Sequence, residues 1–527
     1  MPRVPKGKGG LSAGERARLY EQVEAEKRRR LMQGDFAERA VQAEARKKAT
    51  LDKAEAAEQT AEQPRCNEVI TTKKTLPKPE IATVKVDFSV DVGKIGAMHG
   101  FCNGPVSYGA DVSTLFKEIG VPIVRFDNTD GANSAYAVDI SRVFKDFSAD
   151  PNDPKSYDFT VTDRYVTAAY NSGAEVIFRL GESRDKLGRD KCVRIPENID
   201  LWINVCANVI RHYNDYFANG YAFGINKFEI WSHGYSLEDS DRARELEFYH
   251  RVASMIKMID PVIAVGGMLF HGFDSAARDF VRFCRKNRSP LDFLTLSLFA
   301  SDPKEISEAV NEANAYLKNQ GFADTEIIVG EWGYADADAL SGKEFHDVLI
   351  ADCSGDRRRE IFDAQSSIRG AAFAAAAMLE LNSSGNASAA CFCDAQPMVS
   401  PFTAICDRFG KAQKPFYAFR AYGELFCAGK RVFCTVESSE ECAHSGIYAS
   451  AAKAKSGECY IMIASHGGCG TVDLRINEIA DTLYTADAYL LDGVKDLALG
   501  SSTPLSGSKK RMILNLCEYG VALIKLY

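Results

Sequence analysis

From about residue 95 onward the chain repeats one pattern: a short, mostly apolar run, then a longer stretch whose apolar positions recur every three or four residues. The short runs fall at Ala97–Phe101, Pro122–Phe126, Glu175–Leu180, Lys227–Trp231, Val262–Gly266, Phe293–Leu298, Glu326–Gly330 and Ala389–Cys393. Helical spacing occupies Thr162–Asn171, Asn198–Phe217, Ser240–Ile259, Ser275–Lys286 and Lys304–Asn319 between them. Strands that alternate with helices predict a parallel sheet with crossover connections, and eight of them predict a closed (β/α)8 TIM barrel. The Ala-rich stretch Gly370–Leu381 is interrupted by Glu380 and too short to span a bilayer, so it predicts a buried helix.

Lys414–Gly429 reads as a helix that closes the barrel, and from about Lys430 the pattern changes. Alternating runs such as RVFCTV, ECYIMIAS, TVDLRI, DAYLLD and GVALIKLY, separated by Gly, Ser and Asn, predict an antiparallel β-sandwich domain over 429–527. VKVDFSV, Val84–Val90, is a candidate extra strand for it. SHGGCG, Ser465–Gly470, lies between strands and is a turn rather than a phosphate loop.

The N-terminal stretch is of another kind. Residues 1–62 are dense in Lys, Arg, Glu, Gln and Ala, and Ser12-Ala-Gly-Glu15 fits a capping box. This predicts a charged helical extension, followed by a linker at 63–81 and the barrel at 82–428. Leu19, Val23, Leu31 and Val41 do not supply the positions of a coiled coil. Residues 1–60 carry 14 Lys or Arg against 10 Asp or Glu, and the remainder carries 50 against 62, so a mildly basic arm precedes an acidic body. The arm is a candidate binding segment for a protein partner.

Composition narrows the partners. The chain is 46% hydrophobic and 26% charged with a net charge of -8, which argues against a nucleic-acid partner, since phosphate binding needs clustered Lys and Arg. No apolar run is long enough to cross a membrane. The 15 cysteines are odd in number and follow no cleavable leader, which predicts reduced thiols and a cytoplasmic protein. Cys391 and Cys393 form a CxC without two further ligands at suitable spacing, so no metal or cofactor is expected.

In a barrel of this kind the chemistry sits at the C-terminal ends of the strands. Those ends hold Asn103, Arg125 with Asp127, Arg179 with Glu182, Trp231 with Ser232 and His233, Ser297, Glu331 with Trp332 and Tyr334, and Asp394. Carboxylates, guanidinium groups and indoles around one mouth suit a sugar, whose ring stacks on Trp and whose hydroxyls bond to Asp, Glu and Arg.

Several of these stretches, in this order and spacing, resemble glycoside hydrolase family 39, which includes β-xylosidases and α-L-iduronidases: AMHGFCNGPV (Ala97–Val106), VPIVRFDN (Val121–Asn128), VIFRLGES (Val176–Ser183), FEIWSHG (Phe228–Gly234), TEIIVGEWGY (Thr325–Tyr334) and CDAQP (Cys393–Pro397). The resemblance implies a retaining glycosidase on a (β/α)8 barrel, with an acid/base Glu after the fourth strand and a nucleophile Glu after the seventh. The nucleophile maps to Glu331. The family's Trp-Asn-Glu-Pro reads Trp231-Ser232-His233-Gly234 here, which makes His233 the residue at the acid/base position. Asp127 stands where many members have His, and Ser297 occupies another of the family's His positions.

An imidazolium can donate a proton near its ordinary pKa of about 6.5, and Glu182, Glu229 and Glu238 are further carboxylates for that task. Two readings follow. One is a glycoside hydrolase with Glu331 as nucleophile and His233 as altered proton donor; the other is a catalytically inactive carbohydrate-binding protein that acts as a sensor or scaffold. Asn103, Arg125, Asp127, Arg179, Glu182, Trp231, Ser232, Ser297, Trp332, Tyr334 and Asp394 are the candidate sugar contacts.

Overall fold

A computed structural model describes residues 81–127, 129, 138–182, 196–231, 239–335, 355–396, 403–437, 446–468, 470–479, 484–507 and 510–527, with the backbone alone at 239–241 and 355–358. The charged extension and all but the last residue of the linker lie outside the described residues. So do Ser232, His233 and Glu238.

Chain order gives β1 (Ile81–Lys94), β2 (Ala97–Cys102), α1 (Ser113–Ile119), β3 (Ile123–Arg125), α2 (Thr160–Asn171), β4 (Glu175–Leu180), α3 (Ile199–Asn214), β5 (Lys227–Ile230) and α4 (Asp239–Ile259). Then follow β6 (Ala264–His271), α5 (Ser275–Asn287), β7 (Phe293–Ala300), α6 (Pro303–Asn319), β8 (Glu326–Tyr334), α7 (Gly355–Ser366), α8 (Ile368–Ser384), β9 (Ala389–Cys393) and α9 (Lys414–Ala428). The strands β2 through β9 pair in sequence, each parallel to the next, and β9 returns to β2 to close the barrel. Each of the eight expected strands is present.

The helices form for local reasons. In α6, Asp302 caps the first turn by accepting from the Lys304 N–H, and Pro303 occupies a first-turn position where its missing N–H costs nothing. Ile306, Val310, Ala313 and Leu317 then recur at spacings of four and three and bury one face. The helix α8 is buried almost all round, from Gly370 to Leu379. Its small Ala side chains let it lie between the barrel and a second sheet, with α6 and α9 beside it.

That second sheet has nine strands: β1 with β10 (Lys430–Glu437), β11 (Ile447–Lys453), β12 (Cys459–His466), β13 (Thr471–Asn477), β14 (Tyr484–Leu491), β15 (Asp496–Leu505), β16 (Lys510–Asn515) and β17 (Tyr519–Leu526). All neighbours are antiparallel except β1 and β13. The parallel pair departs from the expected wholly antiparallel domain. β1 reaches the sheet from before the barrel and the others from after it, so the long connection that parallel pairing requires is present. Met462 and Ala464 of β12 and Val521 and Leu523 of β17 pack into the core shared with the barrel. The opposite face, with Val84, Ile461, Leu474 and Ile524, forms a cluster made only of residues from this sheet and its turns. A face that buried, with no helix over it among the described residues, requires the sheet to fold over upon itself.

Inside the barrel, Ile123, Ile177, Phe293, Ile328, Ala389 and Cys391 make an apolar floor. The period of two along each strand then places Arg125, Arg179, Thr295 and Cys393 one layer nearer the mouth.

Candidate active site

Above the apolar floor the strand ends are tied into one buried network. Arg125, at the end of β3, is fully buried and donates from Nε and Nη2 to the two carboxylate oxygens of Glu229 on β5, at 2.5 and 3.0 Å. Gly330 makes room for it: a Cβ there would lie 2.2 Å from the Thr295 side chain and 3.1 Å from Arg125 Nε. The remaining edge of the guanidinium reaches Asp127 at 3.4 Å and Glu331 at 3.5 Å, and Nη1 lies 3.6 Å from Cys102 Sγ. Asp127 also accepts from Arg179 of β4, whose other terminal nitrogen donates to Asp139. Asn103 sets the backbone between β2 and β3. Its N–H donates to the Arg125 carbonyl and its Oδ1 accepts from the Asp127 N–H, at 2.8 and 2.9 Å.

Glu331 lies on β8, where a register shift separates Leu296 from Ser297 in the pairing with β7. Ser297 Oγ donates to Glu331 Oε2 at 3.1 Å. The Glu331 side chain keeps 8% of its surface open, whereas Arg125, Asp127 and Glu229 keep none. Burial, and then the adjacent Asp127 carboxyl, push Glu331 well above the ordinary carboxylate range; Arg125 and Ser297 oppose the shift. Burial alone would lower Arg125, but Glu229 and Asp127 outweigh it and keep the guanidinium firmly charged.

Of the expected site residues, Asn103, Arg125, Asp127, Arg179, Ser297 and Glu331 thus converge. Glu182 stands at the edge of the network, where its carboxylate accepts from the Ser141 N–H and hydroxyl at 2.7 and 2.5 Å and so holds the one-turn helix Ile140–Val143. Asp394 accepts from the Gln396 N–H and the Thr403 hydroxyl at 2.6 and 3.1 Å, which knots the loop after β9. Ser232 and His233 lie outside the described residues.

The aromatic expectations are corrected. Trp231 is 1% exposed and packs against Trp202 of α3 and Phe248 of α4, because the left-handed turn at its own backbone (φ +52°) swings it out of the strand's alternation. Trp332 is fully buried against Phe392, Phe419 and Phe373, and Tyr334 lies against Phe373 with the Arg369 guanidinium over its ring. Neither has a face left for a sugar ring. Glu229, considered as a proton donor, is instead sealed in the ion pair with Arg125. A charged residue inside an apolar run, with Arg179 as its register partner on the adjacent strand, was the signal of that role.

Asp139 and the Cys102 thiol entered no sequence argument, and Cys393 entered only as half of the CxC with Cys391. These two cysteines, Cys102 and Cys393, are register partners on β2 and β9. Among the described residues no group of three or more His, Cys, Asp or Glu side chains is arranged to hold a metal ion, and no helix is long and apolar enough to cross a membrane.

A family model described as glycosyl hydrolases family 39 matches residues 139–325. A β-xylosidase of Geobacillus stearothermophilus is 25% identical over 115 residues, 20% of this chain and 22% of that relative's length. Over residues 139–325 the chain is similar to glycosyl hydrolases family 39. Solved structures extend the likeness of fold over the barrel and the second sheet. A glucosidase from Croceicoccus marinus shares 20% identity with a TM-score of 0.68, covering 85% of this chain and 98% of that one. A GH39 enzyme from Xanthomonas axonopodis pv. citri shares 14% with a TM-score of 0.61, covering 87% and 99%. At these identities the structural likeness concerns the fold.

Proposed function

We propose that the protein hydrolyses O-glycosidic bonds by a retaining mechanism, with Glu331 as the nucleophile. The observation that carries this reading is the placement of Glu331: it stands at the mouth end of the seventh barrel strand, held by Ser297 and Arg125, and is more open than the charged groups packed against it. In a retaining glycosidase one carboxylate attacks the anomeric carbon, and a second group about 5 Å away protonates the departing oxygen and later activates water. In this reading the second group is His233, which follows β5 in the sequence at the position of the family's Glu. An imidazolium there delivers a proton best in slightly acidic solution. The substrate class is a β-linked pentoside, hexoside or uronide, in keeping with a β-xylosidase and a glucosidase among the relatives.

Aryl glycosides with good leaving groups need little protonation, so they separate the nucleophile from the acid. On a panel of xyloside, glucoside, galactoside and iduronide, Glu331→Gln is expected to lose about 10⁴-fold or more in kcat. His233→Ala is expected to lose about 10² to 10⁴-fold, and only with poor leaving groups. Turnover by wild type that survives Glu331→Gln unchanged would remove Glu331 from the mechanism. Sugar binding with no turnover on any substrate would make the protein a carbohydrate-binding member of its family.

A further inference from the structure

We propose that His271, the last residue of β6, is a substrate-binding residue whose imidazole hydrogen-bonds a hydroxyl of the sugar seated against Glu331. It rests on the reading of Glu331 as the nucleophile of a glycosidase. No sequence expectation singled His271 out, because the alternation of β6 points it the wrong way.

Ala264 and Gly266 of β6 face the barrel interior: Ala264 packs against the apolar floor, and a Cβ on Gly266 would lie 2.3 Å from the Phe293 side chain. Strict alternation from them would send Met268 and Phe270 inward and His271 out among the helices. The pairing with β7 shifts register between Gly266 and Leu269, so that β6 carries one extra residue there. Met268 then joins the core outside the barrel, and Phe270 packs against Phe280 of α5 with ring centroids 5.4 Å apart. Leu269 and His271 turn inward instead, as register partners of Thr295 and Ser297. Both partners lie inside, Thr295 against Gly330 and Ser297 with its hydroxyl on Glu331.

Ser297 is in turn the register partner of Glu331, so His271, Ser297 and Glu331 form one row across three adjacent strands. Neighbouring strands lie about 4.8 Å apart, which puts the backbones of His271 and Glu331 about 10 Å from each other. Ser297, between them, has the shortest side chain of the three. The row is therefore a notch with a carboxyl on one wall and an imidazole on the other, and the hydroxyl at its bottom is already given to Glu331. A ring whose anomeric carbon meets Glu331 fills that notch and brings its own hydroxyls against the opposite wall. An imidazole suits them, since one ring nitrogen donates and the other accepts while a sugar hydroxyl does both. His271 is also more open than Glu331, which is 6% exposed. One extra residue in β6 and one in β8, the strands on either side of β7, thus aim two polar side chains at the same place.

Calorimetry of the full chain carrying Glu331→Gln, which retains substrate without turning it over, tests the contact with the p-nitrophenyl β-xyloside, β-glucoside, β-galactoside and α-iduronide. Adding His271→Phe, which keeps a ring and removes both nitrogens, is expected to weaken the sugar that binds by about five- to tenfold. His271→Gln, which keeps a donor and an acceptor, is expected to stay within about threefold of the parent. Monodeoxy forms of the same sugar then locate the bond: the parent loses affinity for the form lacking the contacted hydroxyl, and His271→Phe no longer tells that form from the full sugar. A merely structural histidine would weaken every deoxy form alike. An unchanged Kd in His271→Phe, equal deoxy penalties in both proteins, or no binding of any of the four sugars overturns the proposal. Should His271→Phe not fold, the imidazole nitrogen resonances of His271 in wild type, assigned by their loss in His271→Gln, decide it, for they shift on saturation with the sugar if the contact exists and stay in place if it does not. Binding through His271 with no turnover by wild type sinks the proposed hydrolysis and leaves this contact standing, while turnover that needs Glu331 and binding indifferent to His271 does the reverse.

Discussion

Glu229→Gln removes one charge and almost no volume from beneath the mouth, so its effect reports the ion pair rather than packing. Losing one partner of a fully buried pair leaves an uncompensated charge and costs about 3–5 kcal/mol. Here Arg125 keeps Asp127 at 3.4 Å and Glu331 at 3.5 Å, and a glutamine oxygen can still accept one of its N–H groups, which places the expected loss near the lower end, about 3 kcal/mol. At ~2.1 cal/mol/K of unfolding entropy per residue, a unit of the size of Lys78–Tyr527 loses only about 3 °C in Tm for that change. Urea unfolding followed by tryptophan fluorescence is the sharper assay, because Trp202, Trp231 and Trp332 are all buried and report together. The companion variant Glu229→Gln/Arg125→Met removes both charges. It is expected to recover at least half of the loss, since an apolar replacement of a whole buried pair is often neutral, while staying inactive because Glu331 has lost its cation. A loss under 1 kcal/mol in the single variant, or a double variant no more stable than the single, would refute the view that this pair is a buried charge balance.

Two further perturbations address neighbouring layers. Trp332→Ala is expected to cost about 3–5 kcal/mol in urea unfolding, because its indole fills the space between β8, β9 and α9, and to leave KM for an aryl glycoside unchanged; a raised KM with intact stability would return the indole to the sugar. His99 is buried between Tyr422 and Phe426 with Nε2 on the Gly120 carbonyl, and burial lowers its pKa from 6.5 to about 3. The unfolded chain binds this proton and the folded chain does not, so the stability it contributes is complete above pH 6.5 and declines as pH falls toward 3. His99→Phe should therefore show a shallower decline in urea midpoint between pH 7 and 4, and parallel profiles would exclude the effect.

The barrel was legible because a strand buried on both faces and a helix with one apolar face leave different periods in the chain, and the two alternate here with little interruption from Phe101 to Cys393. The place where the charged side chains converge was legible for the same reason, since the mouth of such a barrel is wherever its strands end. What sequence could not give was the direction of side chains at those ends. Strict alternation from Ile328, an inward residue of the floor, would point Gly330 and Trp332 inward and Glu331 outward. The register shift opposite Ser297 reverses this after Gly330: Glu331 turns in toward Arg125, and Trp332 turns out against Phe373 and Phe419. Gly330 lies inward as well, with room there for no side chain. One irregularity in hydrogen bonding therefore decides which of two adjacent residues faces the barrel interior. The same holds at Trp231, where a single left-handed residue ends the alternation and sends the indole into the helix layer. Indoles next to a mouth read as sugar platforms only if the strand keeps its phase to the last residue, and in this chain both strands lose it one step earlier. The carboxyls and guanidinium groups suffer less from that uncertainty, because a buried charge must find its counterpart, and Arg125, Arg179, Asp127 and Glu229 could satisfy one another only inside the barrel.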